Sequence, residues 1–101
     1  MATIEYDRRF KKHFKTRIFL NRKLAKRYEE RLDLFLKDRR NSILNDHKLV
    51  GRLEGTKAFN ITGDIRVIYV EAWDTSYAYV EVGKNHFIFL DIGTHPQIYG
   101  M

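Results

Sequence analysis

The stretch Gly63-Asp64-Ile65-Arg66-Val67-Ile68-Tyr69-Val70 sets an acid and a guanidinium at the mouth of an apolar run. In extended backbone, residues two apart share a face, so Asp64 and Arg66 are expected to point the same way. Beyond them Ile65, Val67 and Tyr69 alternate with Ile68 and Val70, and a strand that is apolar on both faces belongs to a sheet interior. A second run, Phe87-Ile88-Phe89-Leu90-Asp91-Ile92, stops at Gly93 and is followed by Thr94-His95-Pro96. Thr94 is suited to cap a last turn whose first residue is Pro96, because proline is tolerated where the amide has no helical partner. His95 then lies at a strand-to-turn junction, held by rigid structure yet open to solvent.

Upstream, Ala2 to Tyr6 reads as a short first strand. Asp7 offers a helix N-cap, and Phe10 with Phe14 makes an i, i+4 apolar stripe on an otherwise basic segment. Ile18-Phe19-Leu20 interrupts that pattern and is expected to anchor the connection to a longer helix, capped by Asn21 and running to about Arg40. In it Leu24, Tyr28, Leu32, Phe35 and Leu36 recur at helical spacing. Asn45-Asp46-His47 is turn chemistry, and Gly51, Gly55 and Gly63 punctuate the chain beyond that turn. Strands are expected at Thr56 to Ile61, Ile65 to about Trp73, and His86 to Ile92. Asp74-Thr75-Ser76 and Gly83-Lys84-Asn85 read as turns around an extra strand, Tyr77 to Val82. This order predicts an α+β sandwich, with two helices packed on one face of an antiparallel sheet of four to five strands.

The 101 residues and 12.1 kDa suit one domain, residues 1–101. Hydrophobic residues make up 44% of the chain, enough for a packed interior, which excludes a disordered chain. Cysteine is absent, so there is neither a disulfide framework nor a thiolate zinc site. No apolar run approaches the roughly 18 residues of a membrane helix, and no signal-peptide core follows the basic N-terminus, so a cytoplasmic protein without membrane partners is expected. The net charge is +6, and ten Lys or Arg residues fall between Arg8 and Tyr28 without a single Asp or Glu. A one-sign block of that length points to a polyanionic partner, either nucleic acid or an acidic protein.

No phosphate-binding glycine loop, HExxH or Gly-x-Ser-x-Gly is present. Of the four histidines, His13 and His86 read as surface or half-buried fillers, whereas His47 and His95 flank the expected sheet. Asp64 is a poor metal ligand, since Arg66 beside it disfavours a bound cation, and no cofactor is implied. A metal-free chemistry does suit these residues. RNA is cleaved by in-line attack of its own 2′-hydroxyl, which needs a base, an acid for the leaving oxygen and a cation on the developing dianion. His95, His47, Asp64 and Arg66 supply those groups. Residue types alone leave a second reading open, in which Asp64 and Arg66 form a structural ion pair and the histidines are incidental.

The runs Asp46-His47-Lys48-Leu49-Val50-Gly51, Leu53-Glu54-Gly55, Phe59 to Tyr69, and Leu90-Asp91-Ile92-Gly93-Thr94-His95 with Tyr99 together resemble the RelE/ParE toxin superfamily, nearest to its YafQ-type mRNA interferases. The resemblance spans essentially the whole chain. It implies a toxin of a type II toxin–antitoxin pair, a ribosome-dependent endoribonuclease that acts on mRNA in the ribosomal A site and is silenced by a cognate acidic antitoxin. It implies that His47, Asp64 and His95 match acid/base positions, and that Arg66 matches the arginine placed on the scissile phosphate. Tyr99 matches an aromatic that stacks on a base or shapes the pocket. Arg8, Arg9, Lys11, Lys12, Lys15 and Arg17 would contact ribosomal RNA phosphates, with Lys48 and Asn60 also facing nucleic acid.

Two departures from the branch stand out: Asn60 replaces a frequent histidine, and Ile65 replaces a tryptophan. Asn60 donates hydrogen bonds but does not transfer protons near neutral pH. Two alternatives remain beside the nuclease, a ParE-like toxin that poisons DNA gyrase by binding, and a catalytically weak homologue that only binds antitoxin and autoregulates. The terminal histidine, generally lacking in ParE-like chains, is present as His95.

Overall fold

The structure, a computed structural model, describes residues 3–72 and 86–99. Strands β1 (Thr3–Tyr6), β2 (His47–Lys48), β3 (Lys57–Asn60), β4 (Ile65–Ala72) and β5 (His86–Thr94) form one sheet in the order β1-β5-β4-β3-β2. The helices are α1 (Arg8–Phe14), α2 (Arg22–Lys37) and α3 (His95–Ile98). Strands β2 to β5 run antiparallel to their neighbours, as expected, but β1 pairs with β5 in parallel. A parallel pair needs a long crossover, and the two helices lie on that connection. The expected strand Tyr77 to Val82 and its flanking turns lie outside the described residues.

Asp7 caps α1 by accepting the Arg9 amide at 3.1 Å, and Asn21 caps α2 by accepting the Leu24 amide at 3.2 Å. Between them the chain does not break at Ile18. It continues as a π-helical turn, Lys15–Phe19, which buries Ile18 completely and leaves Phe19 63% and Leu20 84% exposed. Helix α2 ends at Lys37, short of Arg40, and its Leu36 faces solvent instead of joining the inward stripe.

Phe35 of α2 is the centre of the core. Its ring lies 4.4 Å from Phe59, 5.0 Å from Phe87 and 5.1 Å from Tyr69, so one helical side chain ties together β3, β4 and β5. Each such pair contributes about 0.5–1.5 kcal/mol beyond its buried area. Phe10, Phe14 and Tyr28 extend the cluster under α1.

The other face of the sheet carries a smaller cluster, Leu49, Ala58 and Ile68, packed with Leu53, Leu90 and Ile98. Ile68 pairs with Asp91 and Tyr69 with Phe89, which leaves Leu90 as the extra residue of a β-bulge. Past Phe89, β5 has no strand on its outer side, because β1 ends at Tyr6. The cap of α1 and the π-helical turn after it close that edge: the Asp7 amide donates to the Phe89 carbonyl at 2.9 Å, and Arg17 Nη1 donates to the Ile92 carbonyl at 2.9 Å.

Candidate functional site

Asn60, Arg66 and Gly93 stand in one row across β3, β4 and β5. Asp64 sits just before β4 in a turn built by Thr62, whose Oγ1 accepts the amides of Asp64 at 3.2 Å and Ile65 at 3.0 Å. At the end of β5, Thr94 and Gln97 form a reciprocal cap: Thr94 Oγ1 accepts the Gln97 amide, and Gln97 Oε1 accepts the Thr94 amide at 2.8 Å. Helix α3 therefore begins at His95, one residue earlier than the proline rule predicts. His95 is exposed, and its ring centroid lies 4.2 Å from that of Tyr99. Gly63, Asp64, Arg66, Thr94, His95 and Pro96 line a single cleft of about 350 Å³.

Asp64 and Arg66 face this cleft without forming an ion pair. Among the described residues no carboxylate comes within 4.0 Å of the Arg66 guanidinium, and its buried Nε lacks a hydrogen-bond partner, as does the buried Oδ1 of Asn60 beside it. The reading of this pair as a structural ion pair is thereby overturned. A buried unmatched polar atom costs about 1–3 kcal/mol, and such atoms are few in folded proteins. Here the two are ladder partners, and one of the two residues, Arg66, lines the cleft.

His47 is not brought into the cleft. It lies in β2 rather than in a turn, opposite Ala58, and thus on the same face as Arg66 but two strands away and two residues along, about 12 Å at ordinary strand spacing and rise. Its Nδ1 donates to the Asn45 carbonyl at 2.6 Å, and among the described residues Nε2 has no hydrogen-bond partner. Lys48 is exposed next to it. Arg8, Arg9, Lys11, Lys12 and Lys15 are exposed along α1 and the turn after it, whereas Arg17 is half-buried and engaged with Ile92.

Sequence reading missed Asp91, the buried charged residue on β5. His13, read as a filler, donates Nδ1–H to Asp91 Oδ1 at 2.6 Å, and Arg17 Nη1 lies 3.8 Å from the same oxygen. The available signal was an acid inside an apolar run combined with His13 and Arg17 at helical i, i+4 spacing. Among the described residues no cluster of three or more His, Cys, Asp or Glu has metal-binding geometry.

The sheet order, the helix pair on one face and the short terminal helix that carries His95 define the RelE-like α+β fold. Among solved structures the chain is similar to YafQ from E. coli strain BL21(DE3), with a TM-score of 0.69 and 20% identity over 99% of this chain and 100% of that one. It is also similar to a chain of the E. coli DinJ-YafQ toxin-antitoxin complex (TM-score 0.67, 21% identity, 98% of each chain). The YoeB/ParE toxin from Agrobacterium tumefaciens shares the fold at 9% identity, with a TM-score of 0.69 over 92% of this chain and 98% of that one. No family model and no curated protein matches the sequence.

Proposed function

We propose that the protein is the toxin of a toxin–antitoxin pair and that it cleaves mRNA in the ribosomal A site. The observation that carries this reading is the convergence of Asp64, Arg66 and His95 on one cleft, with the Arg66 guanidinium held by no carboxylate among the described residues. In the proposed reaction, Asp64 accepts the proton of the 2′-hydroxyl as that oxygen attacks the adjacent phosphorus. Arg66 offsets the dianionic phosphorane, and His95 gives a proton to the departing 5′-oxygen. The products are a 2′,3′-cyclic phosphate and a 5′-hydroxyl end. The Tyr99 ring packs at a tilt against that of His95, so Tyr99 helps to position the imidazole. His47 and Asn60 flank the RNA path on the same sheet face as Arg66, Lys48 lies exposed on the edge strand beside them, and the exposed bases of α1 meet ribosomal RNA.

An acidic antitoxin suits a chain of net charge +6, and similarity to a DinJ-YafQ complex supports such a partner. Because ribosomes work in the cytoplasm, that is where this reading puts the protein.

The test is in vitro translation with end-mapping of the message. The wild-type chain is expected to cut within codons held in the A site. Arg66→Ala and His95→Gln are expected to abolish cutting and growth arrest while antitoxin binding persists. Growth arrest unimpaired in both variants would overturn the nuclease reading in favour of toxicity by binding alone.

A further inference from the structure

A second cavity, of about 260 Å³, opens on the same sheet face as the cleft and is lined by Asp7, Arg9, Leu53, Ile68, Leu90, Asp91 and Ile98. We infer that it is a nucleobase subsite and that it takes guanine; the inference rests on the RNA-cleavage reading above and names the base next to the cut.

Position comes first. Asp91 and Gly93 lie two residues apart on one face of β5, about 7 Å at strand rise, and Gly93 is the ladder partner of Arg66. Helix α3 spans the same interval, with His95 on the cleft and Ile98 on the cavity. A base in the cavity is thus one nucleotide's reach from a phosphate on Arg66.

The lining then selects the ligand. Leu53, Ile68, Leu90 and Ile98 give apolar walls for a flat heterocycle, and the volume is near the small end of ligand sites, roughly 300 Å³. Asp91 is only 9% exposed, and its neighbours all fall on one oxygen: His13 Nδ1 at 2.6 Å, the Ile92 amide at 2.8 Å and Arg17 Nη1 at 3.8 Å reach Oδ1. Among the described residues Oδ2 has no hydrogen-bond partner, so an acceptor on the cavity lining is left for whatever enters.

Ions suit this lining poorly. A cation would meet Arg9 and a carboxylate already flanked by His13 and Arg17, while a phosphate would meet the acids Asp7 and Asp91. A neutral base with adjacent donors fits. Guanine offers N1–H and N2–H to the carboxylate oxygen and keeps O6 and N7 for the Arg9 guanidinium. Adenine and cytosine offer a single amino group, and uracil flanks its one N–H with two carbonyls that the carboxylate repels.

The experiment is an NMR titration of the ¹⁵N-labelled full chain with GMP, AMP, CMP and UMP. GMP is expected to shift the amides of Leu53, Ile68, Leu90 and Ile98 saturably and to bind about tenfold more tightly than UMP, the lower range for one good base contact. Asp91→Asn, which presents an amide donor to the cavity, is expected to erase or reverse the preference for guanine over uracil. Should that variant lose its dispersed spectrum, Leu53→Trp decides the matter by filling the cavity, and it should abolish the GMP shifts. Equal binding of all four nucleotides, shifts confined to α1, or a uniform loss in Asp91→Asn with the ranking kept would overturn the subsite. So would tighter filling of the cavity by a lysine-containing peptide than by GMP. Cleavage by the wild type with an unchanged base distribution in Asp91→Asn sinks the subsite alone. Saturable GMP binding without any cleavage sinks the nuclease reading alone.

Discussion

Arg66 stands opposite Gly93 in the β4–β5 ladder, so the guanidinium rises beside a position without a side chain, two residues upstream of His95. The pairing sets the distance between the cation and the imidazole by backbone hydrogen bonds rather than by flexible side chains.

Activity and stability should therefore separate at residue 66. Arg66→Ala should lower single-turnover cleavage by about 10²–10³, the range for losing one preorganised donor to a developing oxyanion. Arg66→Lys should not restore it, because a lysine lacks the planar fork that holds two phosphate oxygens. Removing the guanidinium also removes the unmatched buried Nε, so urea unfolding is expected to show little or no loss of stability. A large destabilisation, with cleavage falling only as far as the unfolded fraction, would assign Arg66 a structural role.

Gly93 should tolerate no side chain. A Cβ there would lie 2.5 Å from Arg17 Nη1, 2.8 Å from Gln97 Oε1 and 3.2 Å from Gln97 Cβ. The arginine tip can swing aside only by leaving the Ile92 carbonyl, and Gln97 can retreat only by leaving the cap that starts α3. Gly93→Ala is expected to cost about 1–3 kcal/mol in urea unfolding. In the double variant with Arg17→Ala, the cost of the glycine change should be smaller than in the wild-type background, and a strictly additive cycle would refute the clash.

The elements with strong local signals were legible in sequence. Asp7 and Asn21 cap as their side chains dictate, and the Phe35 stripe and the β4 alternation place both core-forming elements. Features that local chemistry does not encode came out differently. β1 pairs in parallel with a partner more than eighty residues away, and no feature of Thr3–Tyr6 records the direction of β5. Pro96 satisfies a helix start at its own position or one earlier, and the Thr94–Gln97 cap chooses the earlier. Of the site, Asp64, Arg66 and His95 were legible because strand spacing and a turn bring them together. His47 was misplaced because two residues of edge strand carry too little pattern to be told from a turn, and Asp91 was missed because its partners lie on α1 and the π-helical turn, more than seventy residues before it.

The basic residues of α1 and the π-helical turn after it should divide into two groups by salt dependence. Lys11, Lys12 and Lys15 are exposed, so each Lys→Gln change should reduce the slope of log K against log salt for single-stranded RNA by about 0.7. Arg17 is engaged with the Ile92 carbonyl, so Arg17→Gln should leave that slope nearly unchanged and lower stability instead. Filter binding of a labelled oligonucleotide across a salt series, paired with urea midpoints, separates the two. Equal slope changes for Arg17 and the three lysines would show that Arg17 leaves β5 to meet RNA.

Alkaline pH should expose the two buried phenols. Burial holds the Tyr69 hydroxyl well above its ordinary value of 10.0, reinforced by the hydrogen bond it donates to Asp46, and burial raises Tyr28 as well. A phenol that keeps its proton more tightly when folded contributes stability that is complete below pH 10 and declines as pH rises above it, where the unfolded chain ionises first. Tyr69→Phe is expected to cost about 1–2 kcal/mol near neutral pH, since Asp46 loses its donor, and then to flatten the decline between pH 9 and pH 11. Tyr28→Phe differs at neutral pH, because the Tyr28 hydroxyl is buried without a hydrogen-bond partner among the described residues, and its removal should be neutral or slightly stabilising. Urea midpoints at half-unit steps of pH read both effects. A wild-type-to-Tyr69→Phe difference that stays constant from pH 8 to pH 11 would mean that the Tyr69 phenol titrates equally in the folded and unfolded chain.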